Sequence, residues 1–281
     1  MVQSLATRAL NKDVLGHGSE EDARFLERVS HYIFDEALHG LDWPDLIAVI
    51  KFEQALIHNI GSGYGTILPI QTCVAVGGEA ETAVPLAAAW LLYNLASDIF
   101  DDLQDQDGKE RPWNAWEPAR AMNVGLGLIA VANQCLARLP TMPDAHRDIL
   151  NAWAQTFALA ARGQSNVGER PSLETYFRQT IAKSGLIYAT VARAGARLGT
   201  CDSSLIDAMY DYGYALGMVV QIVDDCRDLA PGEVASDLAN GAFTLPVIYA
   251  LSQKEANGFP ELSALSTASG SLSSEDLIET T

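Results

Sequence analysis

Apolar residues recur every three or four positions along most of this chain, whereas β-branched alternation over five or more residues is hard to find. That spacing marks amphipathic helices. It predicts them over Glu20–His39, Trp43–Asn59, Ala83–Asp102, Glu117–Leu139, Ala145–Gly163, Ser172–Leu198 and Ser203–Asp228. Breakers punctuate the pattern at Gly61-Ser-Gly-Tyr-Gly65, Gly77-Gly78, Gly108 with Pro112, Pro140 with Pro143, Pro171, Gly199 and Pro231-Gly232. Caps are legible as well, Ser172 with Thr175 ahead of Tyr176, and Asp202-Ser-Ser before Leu205. No segment predicts a sheet, a linker between domains or a tandem repeat. The expected architecture is all-α, a single-domain bundle of roughly ten helices. It spans residues 1–281, with a mobile or frayed tail from about residue 263.

Two of the predicted helices end in the same acidic pattern. The first reads Asp101-Asp102-Leu-Gln-Asp105 and the second Asp224-Asp225-Cys-Arg-Asp228. At i and i+4 the outer carboxylates share one helix face, about 5–6 Å apart at Cβ. Like charges that close need a positive partner, and Mg²⁺, a hard cation that takes a few carboxylates plus phosphate oxygens, is the natural one. A solvated helix end is the plainer reading of any one Asp run. Against it stand the apolar helices that lead into each cluster and the recurrence of the same spacing far along the chain. A calcium-binding EF-hand loop would need alternating ligands and a glutamate at its twelfth position, which are absent.

Composition narrows the partners. Acidic residues number 36 against 18 basic, a formal net charge of −18. Nucleic acid is excluded as an expected partner, because phosphate backbones need a basic footprint. A diphosphate would be repelled too, unless bound metal reverses the local field. Cys73, Cys135, Cys201 and Cys226 are scattered, without metal-ligand or disulfide-scaffold spacing. The N-terminus lacks the design of a secretory signal. The longest apolar run, Val84 to Phe100, is interrupted by Asn94 and Asp98 and is shorter than the roughly 20 residues of a bilayer span. No transmembrane segment and a cytoplasmic location are expected.

Further short strings lie around the aspartates: Ala121-Met-Asn-Val-Gly125, Gly163-Gln164, Tyr176, Lys183-Ser184 and Ala194-Gly-Ala196. Gly217-x-x-x-Gln221 leads into the second cluster, and Asp237-Leu and Thr244-Leu-Pro-Val-Ile-Tyr-Ala-Leu251 follow it. In this order, from about Ile60 to Leu251, the chain resembles the trans-isoprenyl diphosphate synthases, the polyprenyl synthetase family of all-α class I isoprenoid enzymes. The resemblance implies a bundle around a central cavity, an allylic prenyl diphosphate as substrate, and a homodimer. It implies Mg²⁺, three ions in all, held by Asp101, Asp102, Asp105, Asp224, Asp225 and Asp228. Lys183 matches the lysine that touches the allylic diphosphate, with Ser184 where the family carries Thr.

The chain departs from the family in its basic residues. Chain-elongating members carry Gly-Gly-Lys-Arg-x-Arg-Pro where this chain reads Gly63-Tyr-Gly-Thr-Ile-Leu-Pro69. The Arg-Arg-Gly after the first aspartates becomes Gly108-Lys109-Glu110-Arg111-Pro112-Trp113, so Lys109 and Arg111 are the candidate replacements for that pair. Ionisation of a metal-bound allylic diphosphate is therefore expected, farnesyl-sized or longer, ending in cyclisation or transfer to a non-standard acceptor. This pattern resembles the terpene-cyclising branch and the bacterial pheromone-modifying prenyltransferases. The alternatives are conventional elongation with isopentenyl diphosphate and a non-catalytic subunit of a heteromeric synthase. Gly65→Lys with Thr66→Arg is expected to restore affinity for isopentenyl diphosphate. Ala96 and Ser97, small residues just before the first motif, imply a deep product pocket, with Phe100 beside it. Phe100, Phe157, Tyr188 and Tyr93 are the candidate carbocation-facing rings, with core packing the plainer role. Gln221 either orients the leaving group or is a satisfied buried amide. Asp98 is either a fourth ligand or an acid behind the ligands.

Overall fold

The structure is a computed structural model, and it describes residues 20–60, 63–105, 111–164, 172–227, 244–246 and 248–249. Among these the regular elements are all helical. The first helix, α1 (Glu20–His31), buries Phe25 and Val29 and runs into a π-helical turn, Tyr32–Ala37. Next come α2 (Pro44–Ile60), a 3₁₀ turn (Gly63–Ile67), α3 (Leu68–Ala75) and the long α4 (Ala80–Asp105). A 3₁₀ turn (Pro112–Ala115) precedes α5 (Pro118–Ala137) and α6 (Pro143–Gln164). Then α7 (Leu173–Thr180), a π-turn (Ile181–Gly185), α8 (Leu186–Gly199) and α9 (Ser203–Arg227) complete the order.

The predicted helices form close to their expected limits. Ser172 caps α7, its Oγ accepting from the Thr175 N–H at 3.1 Å. Asp202 caps α9, its Oδ1 accepting from the Ser204 N–H at 2.9 Å. Two differences are instructive. The helix expected over Ser172–Leu198 is widened at Ile181–Gly185, where π geometry interrupts the α ladder. Helix α3 gives no helical stripe in the sequence because Leu68, Pro69, Ile70, Thr72 and Cys73 are all buried; it is short and apolar nearly all round.

Helix α4 is the axis of the core. Leu86 through Ala89, Leu92, Leu95 and Ile99 are wholly inside. Its residues Ala80–Gln104, a longer stretch than the apolar run Val84 to Phe100, are long and apolar enough by composition to cross a bilayer. Yet 83% of its apolar window is buried by the fold, as in the core helix of a globular protein. Helix α8 packs against both α4 and α9. On the α9 side the approach is close. A Cβ at Gly217 would lie 2.5 Å from the Ser184 carbonyl oxygen, and one at Gly213 would meet the Tyr188 carbonyl. Only glycine lets α9 settle this near the π-turn, which fixes the height of the residues that follow it. The tail from residue 263 lies outside the described residues.

Candidate active site

Helix α4 delivers the first acidic cluster at its C-terminal end. Asp98 and Asp101 are buried, and Asp102 is nearly so. The Asp105 side chain, Lys109 and Asp228 lie outside what the structure describes. The chain returns at Arg111, and the 3₁₀ turn behind it closes over Asp102. The Trp113 indole N–H donates to Asp102 Oδ2 at 2.7 Å, and Asn114 Nδ2 reaches the same oxygen at 3.5 Å. Arg111 Nη1 lies 3.5 Å from that oxygen and 3.6 Å from Asp98 Oδ2. Trp113 is itself locked, edge-on to Phe52 of α2. Asp98 thus faces Arg111, which favours the reading as an acid behind the ligands.

The second cluster sits at the end of α9, with Asp224 and Asp225 buried. A relay of neutral groups aims Asp225. The Ser184 hydroxyl donates to Gln221 Oε1 at 2.8 Å, Gln221 Nε2 donates to Asp225 Oδ1 at 2.9 Å, and the Leu245 N–H donates to Asp225 Oδ2 at 2.9 Å. Gln221 is therefore a hydrogen-bonded amide that orients a carboxylate. Burial, and then the Asp225 charge, push the Tyr176 phenol well above its ordinary value. The π-turn that holds Ser184 also carries Lys183, half-buried. Widened helical turns of this kind recur at functional sites because they shift side chains off the regular helical register.

Helix α8 packs against both of the helices that carry the clusters, and its Tyr188 ring meets Trp90 of α4 at 5.7 Å. Burial and the Asp224 carboxylate both push the Tyr188 phenol up. The rings considered for a carbocation are mostly core. Tyr93 and Phe157 lie 4.4 Å apart, both against Trp153, and Tyr188 is buried. Phe100 is half-buried against Gly125 of α5. Ala96 is buried and Ser97 half-buried on α4. A groove of about 470 Å³ opens near the other end of α4, beside Glu81, Val84 and Pro85. It is lined by Arg28, Glu36 and Arg138 among others, and none of the expected site residues borders it.

The donor set suits a hard divalent ion, since carboxylate oxygens are what Mg²⁺ prefers. Among the described residues, no three acidic, His or Cys side chains converge closely enough to hold a metal. Asp105 and Asp228, two of the six expected ligands, lie outside that set. The sequence named every aspartate but missed Trp113, Asn114 and the Leu245 N–H as their partners. Pro112-Trp113 was visible as a string; its contact with Asp102 was not.

The expectation about restored cations needs correction. Thr66 is 2% exposed, Ile67 and Leu68 are equally inside, and Gly65 accepts from the Trp90 indole at 3.0 Å. Thr66→Arg would bury an uncompensated charge and destabilise the fold.

A helical bundle with acidic clusters ending two long core helices has known counterparts. It shares its fold with geranylgeranyl pyrophosphate synthetase from Pyrococcus horikoshii, at a TM-score of 0.73 and 21% identity, covering 93% of this chain and 84% of that one. It also shares it with decaprenyl diphosphate synthase from Rhodobacter capsulatus, at 0.73 and 23%, covering 93% and 81%. Residues 52–274 match the polyprenyl synthetase family, and the chain belongs to it. Heptaprenyl diphosphate synthase component 2 of Bacillus subtilis is 30% identical over 180 residues, 60% of this chain and 50% of that protein. Geranylgeranyl diphosphate synthase of Methanosarcina mazei is 29% identical over 191 residues, 63% and 59%. The chain thus spans about half the length of the first of these relatives and under two thirds of the second.

Proposed function

We propose that this chain is a prenyltransferase that extends an allylic prenyl diphosphate with isopentenyl diphosphate. The observation that carries it is the pair of buried aspartate clusters in a chain whose relatives are named heptaprenyl, geranylgeranyl and farnesyl diphosphate synthases. The names favour elongation over the cyclisation or unusual transfer that the missing cations suggested. Asp101, Asp102, Asp105, Asp224, Asp225 and Asp228 would hold Mg²⁺. Bound there, Mg²⁺ neutralises the charge that develops on a departing diphosphate. Lys183 contacts the diphosphate, Gln221 keeps Asp225 in register, and Arg111 offers a guanidinium at the rim. Ala96, Ser97 and Phe100 border the prenyl chain.

One observation favours a second reading. The segment at 66–69, where the family carries its cations, is buried and uncharged here. Ionisation without isopentenyl diphosphate, followed by cyclisation or transfer to another acceptor, remains the runner-up. Diphosphate release from farnesyl diphosphate with Mg²⁺ separates the two. Release that requires isopentenyl diphosphate and yields longer linear products supports elongation; release without it overturns elongation in favour of the runner-up. No release under either condition would point to a non-catalytic subunit.

The assembly is proposed to be a homodimer. Met122 and Leu126, one turn apart on α5, are exposed apolar side chains and suit burial against a second copy. Two relatives are named as component 2 of a synthase, so a heteromeric partner is the outcome to look for if the purified chain is monomeric in solution.

A further inference from the structure

Asp98 stands one helical turn ahead of the paired aspartates and outside their motif. Its carboxylate is 1% exposed, in a place where a charge is costly unless it is compensated. Its Oδ2 is 3.6 Å from Arg111 Nη1, and that same nitrogen is 3.5 Å from Asp102 Oδ2. The guanidinium is 14% exposed and lies over the Trp113 ring at 5.3 Å. Among the described residues, Asp98 and Asp102 are the carboxylates that Arg111 pairs with. One cation is therefore shared between two carboxylates on successive turns of α4. Both separations are ion-pair distances and neither is a tight hydrogen bond. A guanidinium held this way can lean toward either partner at small cost.

A divalent ion arriving at Asp102, at whichever oxygen, neutralises the carboxylate that Arg111 attends and repels the guanidinium. With Asp102 as its sole counter-charge, Arg111 would either block the ion or leave for solvent. Asp98 supplies a second berth inside the site. We propose that Asp98 is a positioning residue: it retains Arg111 at the rim when a divalent cation takes Asp102, so that the guanidinium stays in place to face a diphosphate. This rests on the metal reading above.

Two consequences follow from the geometry. Without Asp98, Arg111 pairs with Asp102 alone and opposes the metal more strongly. Without Arg111, the positioning that Asp98 provides is gone, and its loss should matter far less. The test is Mn²⁺ binding to the intact protein without substrate, read from the electron paramagnetic resonance of the free ion. Wild type, Asp98→Asn, Arg111→Gln and the double variant are compared. Asp98→Asn should weaken Mn²⁺ binding about tenfold, and Arg111→Gln should tighten it several-fold. In the Arg111→Gln background, Asp98→Asn should change affinity by less than about twofold. Equal weakening in both backgrounds overturns the proposal, because Asp98 would then act as a ligand or as bulk charge. A wild-type protein that binds no Mn²⁺ overturns the metal reading and this proposal with it. Since Asp98 is buried, Arg111→Lys supplies a check on a fold with Asp98 intact. It should return affinity toward wild type, and identical affinities for Arg111→Gln, Arg111→Lys and wild type would overturn the idea.

Discussion

The two aspartate clusters share a spacing and end similar helices, yet Asp102 has a cation among its partners and Asp225 is held by neutral donors. At the end of α4, Asp102 is attended by a guanidinium and an indole from the segment just beyond it. At the end of α9, Asp225 is held by an amide relay from Ser184 through Gln221 and by the Leu245 N–H. A cation compensates charge at a distance and tolerates movement. Directional hydrogen bonds fix orientation and do not. Asp102 therefore has one loosely held partner, Arg111, beside the short directional bond from Trp113, whereas Asp225 is held by directional bonds from neutral donors.

The largest effect expected comes from the ligands themselves. Asp101→Ala and Asp225→Ala should each lower turnover by at least about 10²–10³-fold, the scale set by removing transition-state charge stabilisation. Chelator should do the same to the wild type. The measurement is diphosphate release from farnesyl diphosphate with isopentenyl diphosphate. If one variant keeps its activity, the two clusters are not partners in one site.

Next come the groups behind the ligands, where the clusters should part company. Gln221→Leu strands both the Ser184 hydroxyl and Asp225 Oδ1, and should reduce activity about 10–100-fold. Trp113→Phe removes one donor from Asp102 but leaves Arg111 and Asn114 beside it. Its loss should lie at the low end of the same range, about tenfold. The reverse ranking, read in kcat/KM, would mean that the first cluster is the rigid one.

Packing gives a smaller, purely structural signal. Gly217→Ala forces the π-turn away from α9, and overpacking of this kind costs about 1–3 kcal/mol. Calorimetry should show Tm falling by about 2–4 °C for each kcal/mol. An unchanged Tm would mean that α9 shifts freely, and that the close approach at Ser184 does not set the height of Asp225.

The smallest effect concerns Tyr176. Its phenol is held up from 10.0 by burial and then by Asp225, so it stays protonated in the folded protein while the unfolded chain ionises. The stability linked to it is complete below pH 10 and declines as pH rises above that value. Tyr176→Phe should flatten the alkaline loss of stability and remove one late-titrating phenol from the absorbance profile. A wild-type profile without that late phenol would place Tyr176 in water.

By itself the sequence determined the helices, the acidic clusters that end two of them, and the family. These signals are local: helical periodicity, capping residues and motif spacing are written in neighbouring positions. Tertiary structure alone decided what each carboxylate meets. Ser184 and Gln221 lie 37 residues apart, and Leu245 is 20 residues beyond Asp225. Such distant pairs have no periodicity to betray them. The same holds for Asp98, whose burial and whose cation depend on how the segment after α4 folds back. It holds for residues 66–68, which in the sequence show only that they carry no cation and prove to be core. Burial and charge pairing are properties of the packed chain, because they depend on which surfaces exclude water together.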